Sequence, residues 1–284
     1  MDPSHLGDFG HLGFPLWVRL THWFNFLFLT LLARSGLAIL AAHPKLYWNI
    51  HCRPGSEWLR FTRKEMPADR MWCSTDEEVE APSWLALPGG NSLGLGRYWH
   101  FFSALLWMLC GLIYVALLFL SPQWRRLVPT SWEIIPDAWR TFVAYLQLKQ
   151  PEPEPPYNYD ARLPFNALQQ LTYFGLIFVL TPLQIVTGLG QSPSILGRFP
   201  WFDRSFGKGG RQTARSLHFI GLVLFGVFLL IHIVMVVWHG FAKEMDKMVL
   251  GHTESTGTWL GAGLGLGIIA AVALFHAAAN YASE

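Results

Sequence analysis

The sequence predicts an all-α integral membrane protein: a four-helix transmembrane bundle followed by a fifth, glycine-rich transmembrane helix. Three observations predict it. Hydrophobic residues make up 52% of the chain and charged residues 14%, where a soluble domain carries about 25% charged. Five apolar runs reach the roughly 20 residues that a helix needs to cross the hydrocarbon of a bilayer. Fourteen tryptophans suit the aromatic belts at membrane–water interfaces. A net charge of only +2, with no basic tract or stacking-aromatic motif, excludes nucleic acid as a partner.

The first run, about Trp17–Ala41, follows a tail (1–16) that lacks the basic region and small-residue cleavage site of a secretory signal, so it is expected to be retained. A long loop rich in charge, Trp and Pro, Ala42 to Arg97, leads to the second run, Tyr98–Leu120. The next connection holds Trp132–Leu148, expected as a surface helix, and Gln150-Pro-Glu-Pro-Glu-Pro-Pro156, which proline forces into an extended tether. The third and fourth runs are Asn166–Leu189 and Thr213–Trp238, with Gly207-Lys-Gly-Gly210 between them. The fifth is Thr258–Ala279. No separate soluble domain is visible: residues 17–239 form the expected core domain, and 240–284 a linker with the fifth span.

Of eleven histidines, only His22, His100, His218, His232 and His276 lie well inside apolar spans. His218 and His232 share the fourth span, fourteen residues apart. At 100° and 1.5 Å per residue they return to within roughly 40° of one face, about 21 Å apart along the axis. Successive spans run in opposite directions. His100, opening span two, therefore shares a membrane depth with His218, which opens the parallel span four. His22, opening the antiparallel span one, matches His232 at the end of span four. Two imidazoles per depth, with no Cys or carboxylate to complete a tetrahedral set, suit zinc poorly. They are sufficient as axial ligands of a haem iron. Two b-type haems are the expected cofactors, held by His22/His232 and His100/His218.

Arg34 lies in the apolar body of span one, where an unpaired guanidinium is costly and no span offers an acid. A haem propionate is its expected partner. Propionates would equally serve Arg19, Arg97, Arg211 and Arg215 near span starts, although snorkelling to lipid headgroups explains these four as well. Gly36 and Gly111 within spans would let a porphyrin approach the backbone, or simply let helices pack.

These residues resemble the di-haem cytochrome b subunits of membrane-bound formate dehydrogenases, nickel–iron hydrogenases and thiosulfate reductases. The carriers are Arg19-Leu-Thr-His22-Trp23, Arg97-Tyr-Trp-His100, Phe165-Asn166-Ala-Leu-Gln169 leading to Thr187-Gly188, and Arg215-Ser-Leu-His218 with His232. Ala33-Arg-Ser-Gly36, the long first loop and Gly209-Gly-Arg-Gln-Thr-Ala-Arg215 look most like cytochromes paired with molybdopterin-dependent oxidoreductases. The resemblance implies an electron wire in a bacterial plasma membrane, joining an extracytoplasmic oxidoreductase subunit to the quinone pool. It implies a quinone beside His232 and Asn166, where Asn166 alternatively caps its own helix. Leu168 stands where the family has a small residue, which puts the details of the quinone pocket in doubt.

Family topology implies a cytoplasmic N-terminus, with loops one and three outside. Counting Lys and Arg gives the opposite bias, with more of them in those loops; the rule is weakest for long or partner-docked loops. Outside, Cys52 and Cys73 could form a disulfide, while Cys110 in span two should be a free thiol. In span five, Gly257, Gly261 and Gly265 recur every four residues, as in close helix contacts, against the core, a partner anchor or a second copy. His276 has no mate in depth and is expected to be structural. The competing reading is a haem-free transporter or proton pathway built on the same histidines and Arg34. A ferric reductase fits less well, because only span four carries two histidines.

Overall fold

A computed structural model describes residues 13–65, 69–71, 74–79, 81–88, 92–160, 164–252 and 256–281. In chain order its main helices are α1 (Leu16–Ala42), α2 (Leu93–Leu120), α3 (Ile134–Leu146), α4 (Ala167–Leu189), α5 (Gly210–Trp238) and α6 (Trp259–Tyr281). All but α3 are long and apolar enough to cross a membrane, and they coincide with the five expected runs. The chain is an all-α integral membrane protein.

Local chemistry explains two irregularities. One π turn, Leu176–Leu180, interrupts α4 just before Pro182. Proline has no N–H to give residue 178 and crowds its carbonyl, and the wider turn absorbs both defects. Loop one is not structureless: strands β1 (Lys45–Leu46) and β2 (Leu59–Arg60) pair antiparallel, Lys45 opposite Arg60 and Leu46 opposite Leu59. Close by, Lys45 and Glu77 form a buried ion pair at 3.1 Å.

Contacts gather the chain into two compact units that share the spans. The first comprises the described parts of Met1–Phe24, Leu109–Pro182 and Leu230–Ile268; the second, those of Asn25–Met108, Leu183–Leu229 and Ile269–Glu284. In the first, Ile134 and Ala138 of α3 pack with Ala167 of α4, flanked by Tyr159, Leu168 and Leu171.

The glycine stripe of α6 also belongs to the first unit. After α5 a short helix, Phe241–Met245, and a π turn, Asp246–Leu250, fold back on it. A Cβ at Gly257 would meet Ala242 at 2.9 Å, one at Gly261 would meet the Asp246 carboxylate at 1.7 Å, and one at Gly265 would meet Met245 at 2.4 Å. Fully buried Asp246 accepts the Thr258 hydroxyl at 2.6 Å. Of the surfaces open to Gly257, Gly261 and Gly265 (the core, a partner anchor or a second copy), the chain's own preceding segment is the one found against them. Periodic small residues signal close approach, and here the chain's own segment makes it.

Candidate functional site

In the second unit, His100 of α2 and His218 of α5 face each other with ring centroids 6.2 Å apart and planes at 68°. Their outer nitrogens are held in the same way. Ser35 Oγ on α1 gives its hydrogen to Leu31 O at 2.8 Å and lies 3.0 Å from His100 Nδ1. Thr187 Oγ1 on α4 gives its hydrogen to Leu183 O at 2.7 Å and lies 3.1 Å from His218 Nδ1. The Gln184 carbonyl is also 3.1 Å from that Nδ1. A carbonyl only accepts, and a hydroxyl that has spent its hydrogen accepts too. The network thus assigns Nδ1–H to both rings and leaves both Nε2 lone pairs for a ligand.

A glycine follows each hydroxyl. A Cβ at Gly36 would lie 3.5 Å from His100 Cε1, and one at Gly188 would lie 3.3 Å from His218 Cε1. Each imidazole rests on bare backbone beside the hydroxyl that orients it. The hydroxyl–glycine pair occurs twice, once per ring.

The first unit holds the other pair, His22 of α1 and His232 of α5, with centroids 6.1 Å apart and planes at 61°. Trp23 sets its ring edge-on to His22 at 5.4 Å. Its indole N–H donates to Met248 O at 3.1 Å, tying α1 to the segment after α5. All four residues are of intermediate exposure.

Two metal–nitrogen bonds of about 2 Å each, plus about 1 Å from each nitrogen to its ring centre, place axial imidazoles about 6 Å apart. Both pairs meet that value. Among the described residues no three His, Cys, Asp or Glu side chains cluster as a metal site, so a tetrahedral zinc set is not offered. A haem, which brings its own equatorial nitrogens, needs only the two.

Residues 13–251 match the family model described as prokaryotic cytochrome b561. The chain belongs to that family. This cytochrome b is similar to a protein of Azospira oryzae assigned as protein-methionine-sulfoxide reductase subunit YedZ1, 25% identical over 84% of this chain and 96% of the relative. No solved structure matches it. Family membership decides against the haem-free reading: the protein is a multi-pass bacterial membrane electron-transfer subunit and binds haem b.

The arginines divide. Arg34, 6% exposed, donates to Leu85 O at 3.3 Å, to His276 O at 2.8 Å, and to Ala86 O and Asn280 Oδ1. Its Nη1 also lies 3.1 Å from His276 Nδ1, whose Nε2 lies 2.9 Å from Thr30 Oγ1. Carbonyls and an amide thus surround the guanidinium for which a propionate is the expected partner. His276, expected to be structural, sits in this clasp. Arg19 is likewise engaged, donating to Phe14 O at 3.1 Å and Val249 O at 2.7 Å. Arg215 gives one N–H to His43 O, while Arg97 is exposed. Burial first, then Arg215 and Arg97, holds His43 below the ordinary imidazole value.

Asn166, for which a quinone contact and a helix cap were both open, forms the cap. Only 2% exposed, it caps α4: its Oδ1 accepts Gln169 N–H at 3.0 Å, and Gln169 Oε1 accepts the Asn166 N–H at 3.1 Å. Its Nδ2 donates to the Tyr145 hydroxyl at 2.6 Å. This is the capping alternative, and it uses both ends of the amide. The disulfide expected of Cys52 and Cys73 falls outside the described residues; Cys110 is a buried free thiol, 3.7 Å from Thr21 O.

Sequence reasoning named Gly36 for porphyrin approach and missed its place under the His100 ring. It gave no role to Ser35, Thr187 or Gln184. The available signal was a hydroxyl–glycine dipeptide, Ser35-Gly36 and Thr187-Gly188, inside otherwise apolar spans.

Proposed function

We propose that this cytochrome holds two b haems, one between His22 and His232 and one between His100 and His218, and carries electrons between an extracytoplasmic oxidoreductase and the quinone pool. The observation that carries this reading is the recurrence of the 6 Å ring separation in two separate places. Haem b supplies a one-electron iron couple when bound. The chain's part is to keep both Nε2 atoms deprotonated and aimed, which the Nδ1–H bonds to Ser35, Thr187 and Gln184 do for one pair. Exposed Arg97, with Arg215, is suited to the propionates of that haem. The reductase-subunit assignment of the Azospira relative supports a redox-enzyme partner. We place that partner at the His218 end, with a molybdopterin-dependent enzyme the first candidate. Quinone exchange is placed beside His232, and the N-terminus in the cytoplasm of a bacterial inner membrane. The test is the dithionite-reduced visible spectrum of the purified protein with a haem count. Two haems per chain are expected; one, or none, sinks the reading.

A further inference from the structure

Helix α3 has three faces rather than two. Ile134, Ala138, Thr141 and Ala144 are buried on one side. At 100° per residue, Ile135, Trp139, Phe142 and Leu146 share a second arc of roughly 60°, and these four are 41 to 69% exposed. Trp132, just before the helix, is 89% exposed. Glu133, Arg140 and Gln147 occupy the third sector, also exposed. An amphipathic helix on a soluble domain needs only a buried and a wet side. The additional exposed apolar arc needs an occupant.

Connectivity narrows the choice. α2 ends at Leu120 and α4 begins at Ala167, and both cross the membrane, so the segment between them starts and ends at one membrane surface. The stripe carries a tryptophan, the residue enriched at that depth. The polar sector offers little net charge to recruit a protein, since Glu133 opposes Arg140 and Arg140 is paired with Asp137 at 2.7 Å. Size also argues against a protein partner. Thirteen residues make a helix about 20 Å long and 10 Å wide, so one face offers roughly 200 Å², against about 800 Å² per partner in a stable interface.

We propose that α3 is a membrane-surface anchor whose Ile135, Trp139, Phe142 and Leu146 are seated between lipid headgroups and acyl chains. Such a helix lies roughly 5–10 Å into that boundary. Its buried side holds the start of α4, through Ala138 against Ala167 and through Tyr145 to Asn166. The lipid surface thereby fixes where the third span enters. The inference needs the membrane but neither the haem pairing nor the quinone.

Nitroxide labels test it, on the full chain in phosphatidylcholine vesicles, with Cys52, Cys73 and Cys110 first replaced by alanine. Labels at Trp139→Cys and Phe142→Cys should collide with oxygen several-fold more than with a water-soluble nickel chelate. Labels at Arg140→Cys and Gln147→Cys should show the reverse. Nickel access at 139 and 142 would overturn the proposal, and so would access by neither reagent, which would mean a second copy or another protein covers the stripe. A second measurement avoids cysteine replacement. Acyl-chain-brominated lipid should quench the fluorescence that separates the native protein from its Trp132→Phe/Trp139→Phe double variant. An unquenched difference would likewise overturn it.

Discussion

The two histidine pairs have almost the same ring separation, 6.2 and 6.1 Å, and lie in different surroundings. His100 and His218 each have a hydroxyl at Nδ1, a glycine under the ring and a backbone carbonyl partner, from Leu32 and Gln184 respectively. His22 is braced by the edge of Trp23, itself tied down through Met248. Hydrogen bonding at Nδ1 fixes a tautomer and makes the ligating nitrogen a stronger donor, and an aromatic edge fixes an orientation. One fold therefore gives similar ligand spacing to two sites whose neighbours differ.

The largest effect should come from removing a ligand. His218→Ala is expected to abolish the haem held with His100 and spare the other, and His22→Ala to do the converse. Potentiometric titration with two intact components in either variant would break the pairing. Next comes the floor under the ring. Gly188→Val adds methyl groups where a Cβ alone would stand 3.3 Å from His218 Cε1, and the haem content should fall by half. Gly36→Ala, with its Cβ at an ordinary 3.5 Å from His100, should keep both haems.

Removing one outer-nitrogen partner should cost less. Ser35→Ala and Thr187→Val are each expected to weaken haem retention about 10–100-fold. Equal, unchanged retention in both would mean the hydroxyls do not orient the rings. The smallest effect is assigned to Asn166→Ala. Losing the cap should lower stability by about 1 kcal/mol, read as an earlier thermal transition, with haem spectrum and quinone reactivity unchanged. A selective loss of quinone reactivity would return Asn166 to that site.

How much of this was legible in the sequence depended on the kind of signal. The five spans follow from hydropathy and length, which lipid enforces strictly, and the matching of His22 with His232 and His100 with His218 needed only alternating helix direction. The protein partners of Arg34 were not legible because its acceptors are carbonyls of Leu85 and Ala86, which no side-chain inventory lists, together with residues some 240 positions away in the chain. The stripe of Gly257, Gly261 and Gly265 was read correctly as a close contact, but periodicity does not name the surface that fills it. Asn166 was open between two roles because N-cap and ligand contact use the same amide.

The clasp at Arg34 bears on how the protein is made. Its guanidinium belongs to α1, and His276 and Asn280 belong to α6, which is synthesised much later. Until α6 has been made, that cation lacks two of its partners in a medium where an unsatisfied charge is expensive. The contact thus ties the settling of α1 to the arrival of α6. A product stopped before α6 is expected to be cleared by membrane proteases faster than one that includes α6, and Arg34→Leu should slow that clearance; equal lifetimes in a pulse-chase would remove the link.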